Sequence, residues 1–146
     1  MKKIWPYLLV VLLMPAIISS CKKDRNPEPP NVEEKWLFNK VVYEEYDTAD
    51  SVINSEIDSG WTANDYLAFA SDGSFDLVQD GQRLVGIYAI ENSVLSLTYT
   101  QITNSNTSVA VTTRAPVVEK TSNLFTFYVE EVIATGKFRA TFYLSK

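Results

Sequence analysis

The side chains that could support catalysis or bind a metal are few and unfavourably spaced. The chain contains one cysteine, Cys21, and no histidine. Without histidine, neither a Ser-His-Asp nor a Cys-His nucleophile can be assembled, and zinc sites that use imidazole are excluded. A single cysteine cannot form a disulfide within one chain. The residue inventory therefore argues against an enzyme with an activated nucleophile.

Carboxylates occur as three adjacent pairs, Glu33-Glu34, Glu44-Glu45 and Glu130-Glu131. Adjacent residues of a strand point to opposite faces, so no pair converges by itself on one substrate. A two-carboxylate glycosidase needs its two groups about 5–9.5 Å apart. Asp72, Asp76 and Asp80 lack the ligand spacing of a calcium loop and are interpreted as turn residues. We expect no catalytic residue, no metal site and no cofactor.

Cys21 directly follows a segment with the properties of a secretory leader. Residues 1–20 begin with two lysines, continue with an apolar run and end with Ser19 and Ser20. A positive start, a short apolar core and small residues at the cleavage site are typical of a signal peptide. An uncut transmembrane anchor is the alternative, but the run is short for a span of ~20 residues.

The segment Ile18-Ser19-Ser20-Cys21 resembles the lipobox of bacterial lipoproteins, which has an aliphatic residue, two small residues and a cysteine. This resemblance implies that the leader is removed before Cys21 and that fatty acyl chains such as palmitate are attached to this cysteine. It also implies a lipid-anchored protein of the cell envelope, at the outer membrane and facing either the periplasm or the cell surface.

The net charge limits the partners. Removal of residues 1–20 takes away Lys2 and Lys3 and moves the formal charge from −5 to −7. Nucleic acid requires a basic protein face, so we expect no nucleic-acid binding. Attachment to a membrane would come from the acyl chains rather than from attraction to anionic lipid.

Three segments follow from composition. Lys22–Glu34 is polar and contains Pro27, Pro29 and Pro30, a composition that favours an extended spacer over a packed core. We therefore predict a signal peptide at 1–20, an acylated cysteine with a proline-rich tether at 21–34, and one folded domain at 35–146.

The folded domain must supply the elements that position any site, and its clearest part is Asp65–Tyr99. Apolar residues alternate with polar ones there, and turn-forming triplets interrupt the alternation at Ser71-Asp72-Gly73, Gln79-Asp80-Gly81 and Glu91-Asn92-Ser93. Such alternation bounded by Asp-Gly is typical of β-hairpins. Links this short allow only antiparallel neighbours. The stretch therefore predicts a four-stranded antiparallel meander.

One further strand precedes the meander and three follow it. The first begins at Lys35 and runs through Val42 toward Tyr46, and the later ones lie between Val109 and the C-terminus. Proline cannot donate to a ladder, so Pro116 is expected at a bulge or an edge. Eight short strands without a helix predict an all-β fold, an antiparallel up-and-down eight-stranded barrel. A β-sandwich with Greek-key order is the alternative.

Thr48–Asn64 is the least regular part of the predicted domain. A short helical turn capped by Asp50 or Ser51 is one interpretation of its first half. Long irregular connections often serve as lids or binding loops, although they are also simple mobile excursions. Both alternatives remain open from the sequence.

Several short segments of the domain resemble the lipocalin-like domains of small bacterial lipoproteins. They are Lys35-Trp36, Asp65–Phe69 running into Asp72-Gly73, and Gly86–Ile90 before Leu95-Ser96-Leu97. The resemblance covers about Lys35 to Lys146. It implies a calyx barrel with the first-strand tryptophan at the closed end, and a small hydrophobic ligand inside.

Aromatic residues supply the candidate ligand contacts. The predicted inward face carries Trp36, Phe69, Phe75, Tyr88, Tyr99, Phe127 and Phe142. Each of them either packs the core or lines a pocket, and Tyr88 and Tyr99 are the strongest pocket candidates because a buried phenol needs a hydrogen-bond partner. We select as candidate ligand-binding residues Trp36, Tyr88, Tyr99, Phe127 and Phe142. Arg83 and Arg114 are candidate counter-charges for an acidic ligand.

Two functions are consistent with these patterns. One is a lipid-anchored barrel that holds a small hydrophobic ligand. The other is a non-enzymatic structural or adaptor lipoprotein, whose outer face or Thr48–Asn64 segment contacts another envelope protein. An apolar void near Tyr88 and Tyr99 favours the first, and a packed interior with an apolar patch around Trp61 favours the second.

Overall fold

The computed structural model describes residues 32–103 and 106–146. The predicted signal peptide at 1–20, the acylation at Cys21 and the tether as far as residue 31 lie outside the described residues. The first strand starts at Val32, three residues before the predicted start of the domain. No helix in the described part of the chain is long and apolar enough to cross a membrane.

The described residues form strands and no helix, as the alternating pattern predicts. The strands are β1 (Val32–Tyr46), β2 (Val52–Asp58), β3 (Tyr66–Ala70), β4 (Ser74–Gln79), β5 (Gln82–Glu91), β6 (Val94–Ile102), β7 (Ser108–Lys120), β8 (Leu124–Ile133) and β9 (Gly136–Ser145).

Eight of these strands close an antiparallel ring in the order β1-β3-β4-β5-β6-β7-β8-β9, and β9 returns to β1. The closing ladder runs from Leu37 opposite Ser145 to Tyr46 opposite Lys137. The prediction of an up-and-down barrel is confirmed. The sandwich alternative is wrong, because the first and last strands pair directly instead of leaving two free edges.

The expectation of an irregular Thr48–Asn64 segment is wrong in its central part. Val52–Asp58 forms β2, which pairs with the second half of β1 from Val41 opposite Asp58 to Tyr46 opposite Val52. Nearly all of β2 is exposed on both faces. Because neither face of β2 is buried, its sequence does not alternate between apolar and polar residues. That alternation is the signal from which a strand is assigned in a sequence.

The tight turns lie where the sequence predicts them. Asp80 and Gly81 have φ angles of 50° and 73°, and Asn92 and Ser93 have 50° and 61°. Two central residues with positive φ define the type I′ hairpin, whose twist matches that of the flanking strands. Three strands of the meander, β4, β5 and β6, are therefore aligned by local sequence.

The predicted inward face packs at one end of the barrel, here called the closed end. It contains the start of β1 at Val32 and the β3–β4, β5–β6 and β7–β8 turns. Trp36 is fully buried there, with its ring 5.5 Å from that of Phe125, which in turn lies 5.9 Å from Phe69. The lipocalin-like expectation of a first-strand tryptophan at the closed end agrees with this position.

A bulge in β1 changes which residues face inward. The register with β9 shifts between Phe38 and Lys40. Trp36 and Phe38 are buried before the shift, and Val41 is buried after it. Alternation along the sequence alone would have placed Val42 inward, whereas the extra residue at the bulge turns it to the outer face.

Candidate functional site

All five residues selected from the sequence as ligand contacts face the barrel interior. Trp36, Tyr99 and Phe127 are buried, and Tyr88 and Phe142 are half-buried. The rings of Phe127 and Phe142 stack at 5.0 Å with an interplanar angle of 19°. Of the five, this is the pair that the fold brings into ring contact.

Two of the other selected residues pack against rings outside that pair. Trp36 packs against Phe125 at the closed end. Tyr88 packs against Phe69 with ring centroids 4.4 Å apart, and its hydroxyl donates a long hydrogen bond of 3.4 Å to the carbonyl oxygen of Ala70. Trp36 has no exposed surface to offer a ligand without rearrangement.

The barrel wall is incomplete between β7 and β8. Three register pairs join the two strands, Val117 with Phe127, Glu119 with Thr126 and Lys120 with Phe125. Within the described residues, 108–116 of β7 have no register partner on β8, and 128–133 of β8 have none on β7. The ladder between β7 and β8 therefore covers only the closed end of the ring. We call the part of this wall without register pairs the β7–β8 opening.

Pro116 accounts for the point at which the ladder stops. The N–H of Val117 donates to the carbonyl of Ser93 across the β6 side, at 2.7 Å. Successive backbone nitrogens of a strand point to opposite sides, so the nitrogen of Pro116 faces β8 and has no hydrogen to donate. A bulge between Val117 and Glu119 adds to the break. The prediction that Pro116 marks a bulge or an edge is confirmed.

The inward-facing side chains beyond the opening are apolar and only partly covered. We call this region the open half; its half-buried lining is Tyr43, Leu77, Leu84, Val111, Val129, Phe138 and Phe142. Val111 and Val129 belong to the unpaired parts of β7 and β8. Burial, together with the charges of Asp58, Asp80 and Glu56, raises the pKa of Tyr43 to about 12, so its phenol is neutral at physiological pH.

Trp61 covers part of the open half from the connection between β2 and β3. Its ring lies 5.4 Å from that of Phe38, which is 6.2 Å from Phe142. The indole N–H of Trp61 is buried and has no hydrogen-bond partner among the described residues. A buried donor of this kind costs about 1–3 kcal/mol unless something accepts its hydrogen bond. We call this connection the lid from its position; it carries a buried donor that has no partner among the described residues.

The buried carboxylate of Asp65 fixes this lid. Its Oδ2 accepts hydrogen bonds of 2.8 Å from the Thr62 N–H and from the Thr62 hydroxyl, and its Oδ1 accepts one of 2.8 Å from the Asp80 N–H. Burial by itself raises the pKa of Asp65, but these donors outweigh it and hold the pKa below its usual value. The carboxylate thus ties the lid to the β4–β5 turn.

The proposed counter-charges do not reach the interior. Arg83 binds Asp76 on the outer face through two hydrogen bonds, of 2.7 and 3.0 Å, and Tyr66 donates to the same carboxylate at 3.0 Å. Asp76 is therefore a buried strand residue with three donors, and its interpretation as a turn residue is wrong. Arg114 is exposed.

A trough of ≈ 610 Å³ lies on the outer face of β1, β7, β8 and β9. Lys40 lies 4.5 Å above the Tyr143 ring, and Arg139 lies 4.5 Å from the Tyr128 ring. Arg139 also forms a 2.8 Å ion pair with Glu130. Sequence reasoning missed this surface because its polar residues look like an ordinary solvated strand face.

No group of three or more histidine, cysteine, aspartate or glutamate side chains that could hold a metal occurs within the described residues. No protein-family model, curated protein or solved structure matches the chain. The functional assignment therefore depends on the residues and geometry of this chain.

We expect Asp65→Asn to lower the free energy of unfolding at pH 7 by about 1–3 kcal/mol, because charge-assisted hydrogen bonds to a buried carboxylate are lost. A carboxyl with a lowered folded-state pKa stabilises above its unfolded pKa of about 3.9 and loses this contribution as the pH falls through the folded value. Urea denaturation should thus show the difference between wild type and variant shrinking below about pH 4.

Asp58→Asn is the matched control for that experiment, because the Asp58 carboxylate accepts a single exposed hydrogen bond from Gly60 in the same connection. Its effect should stay within about 0.5 kcal/mol. A difference for Asp65→Asn that is constant from pH 7 to pH 3 would contradict the assigned role.

Proposed function

We propose that this protein is a lipid-anchored protein of the cell envelope whose barrel binds a small hydrophobic ligand in the open half. The observation that supports this is the partly exposed apolar lining beside the β7–β8 opening. The interior of an eight-stranded barrel is wide enough for its own side chains or for one small ligand. Covering apolar surface of this kind contributes roughly 25 cal/mol per Å² to binding.

The lining indicates the chemistry of the ligand. Val111, Val129 and Phe142 offer aliphatic and aromatic surface. Arg83 pairs with Asp76 and Arg114 is exposed, so neither of these two cations reaches that surface. The buried N–H of Trp61 is an available donor near Phe38. A mainly apolar, uncharged molecule with one carbonyl or hydroxyl oxygen would satisfy both features, since binding sites combine apolar walls with few polar groups.

The anchor part of the proposal rests on the leader and on the lipobox-like segment. Acylation of Cys21 would hold the domain at a membrane, and the proline-rich spacer would separate the cysteine from β1. From Cys21 to Val32 the chain can span at most about 40 Å. The domain would therefore stay close to the bilayer, within reach of apolar molecules that leave it.

A second candidate function, that of an adaptor, is favoured by the outer trough. Tyr128, Tyr143 and Arg139 are residue types that are enriched at protein interfaces. The stacked Phe127 and Phe142 rings and the packed closed end also reduce the free interior volume. In this alternative the barrel serves as a scaffold, and another envelope protein binds its outer face.

Filling the opening separates these two functions. We expect Val129→Phe to weaken binding of the neutral apolar probe N-phenyl-1-naphthylamine at least about tenfold, because the larger ring occupies the space beside Phe142. The measurement is a fluorescence titration. Val132→Phe is the matched control, since Val132 is 83% exposed on the same strand and its enlargement should leave the affinity unchanged.

Wild-type protein that does not bind the probe, or an equal loss in both variants, would contradict a site in the open half. Native mass spectrometry of protein purified from its own host adds a direct comparison. A co-purifying small molecule supports ligand binding, whereas a bare barrel bound to another envelope protein supports the adaptor.

The anchor has its own test. We expect Cys21→Ser to abolish incorporation of labelled palmitate. The variant should either leave the membrane fraction for the soluble fraction or accumulate as the uncleaved precursor. Ser19→Ala keeps a small residue before the cysteine and should leave labelling intact. Labelling that persists in the Cys21→Ser protein, or an unacylated wild-type protein, would contradict acylation at this position.

A further inference from the structure

The strand β2 has one edge without a neighbour. It stands at the end of the sheet order and pairs with β1, and no other strand of the described chain pairs with it. Its apolar side chains are also uncovered: Val52, Ile53 and Ile57 are 50%, 57% and 62% exposed. An open edge with exposed β-branched residues is a site at which another strand can pair.

The register with β1 shows which backbone groups face the open edge. The N–H of Asp47 donates to Ser51 at 3.0 Å, so every second residue of β1 before Asp47 directs its N–H and C=O toward β2. The register partners of those residues, Asn54, Glu56 and Asp58, are bonded to β1. The register shifts between Glu45 and Tyr46, and Ile53 is the extra residue of β2 at this bulge.

The residues between them point the other way. Ser55 and Ile57 therefore present their N–H and C=O groups at the open edge. These groups are spaced as one strand of an antiparallel ladder requires.

We propose that two copies of this chain associate by antiparallel pairing of their β2 strands, with the two-fold axis at Ser55. In this register Ser55 faces its own copy, Ile53 faces Ile57 of the second copy, and Asn54 faces Glu56. Ser55 forms a hydrogen-bonded backbone pair with Ser55 of the second copy, which agrees with the direction of its N–H and C=O groups. An isologous contact of this kind closes as a dimer and cannot extend into a filament.

The side-chain pattern selects a second copy rather than an unrelated strand. The segment Ile53-Asn54-Ser55-Glu56-Ile57 is nearly symmetric about Ser55. Two apolar Ile53–Ile57 pairs therefore form on one face, beside the half-buried Val42 of β1. Cross-strand apolar pairs contribute roughly 0.2–1 kcal/mol each.

The charges select this register over its neighbours. The chain is acidic, and like charges directly opposite one another are destabilising. An axis at Glu56 would place the two Glu56 carboxylates opposite each other, and an axis at Asn54 would oppose Asp50 and Asp58. With the axis at Ser55, the carboxylates of Glu56 and Asp58 face Asn54 and Val52.

The test is sedimentation equilibrium of the full chain, extracted from membranes into density-matched detergent. Wild type should dissociate from dimer to monomer on dilution. Ile53→Lys with Ile57→Lys places lysines opposite lysines and should weaken the dimer at least about tenfold. Ile53→Lys with Ile57→Glu places each lysine opposite a glutamate, and should restore association that weakens as salt is added.

Val85→Lys with Ile87→Lys is the matched control, because these residues are 55% and 64% exposed on β5 and receive the same added charge. This variant should dimerise like wild type, and circular dichroism should show β-structure in all variants because β2 lies outside the barrel ring. A wild type that is monomeric at every concentration overturns the proposal. So does a Lys/Lys variant that associates as well as the control, or a Lys/Glu variant that fails to associate.

Discussion

The pairing of β1 with β9 is the constraint on which the rest of this structure depends. It joins the ends of an all-antiparallel chain and removes the two edges that an open sheet would leave. Because β1 is longer than β3, its second half would remain unpaired on the other side, and β2 covers it. The free edge is thus transferred from the barrel to β2.

A break in hydrogen bonding between β7 and β8 divides the interior of the barrel. Between Pro116 and the closed end the wall is continuous, and the rings of Trp36, Phe69 and Phe125 fill that end. Toward the other end β7 and β8 share no register pairs, and apolar residues that face inward stay partly exposed. The missing N–H at Pro116 and the adjacent bulge therefore mark the boundary between a packed half, which supplies stability, and a half with a partly exposed apolar lining.

Local sequence was sufficient for the strands with one buried face and for the turns between them, because alternation and positive-φ turn residues are local properties. It failed for β2, which has solvent on both faces. It failed for Asp76, whose partners Arg83 and Tyr66 come from neighbouring strands. The β7–β8 opening depends on the direction of one backbone nitrogen, which only the register with β6 defines.

Amide hydrogen exchange along β7, followed by NMR, tests the divided barrel most directly. The amides of Thr113 and Ala115 face β6 and should exchange slowly, whereas those of Thr112 and Arg114 face the opening and should exchange fast. The amides of β1 that face β9 should be among the slowest. Uniform protection along β7 would show a wall that is closed throughout, and would contradict the account.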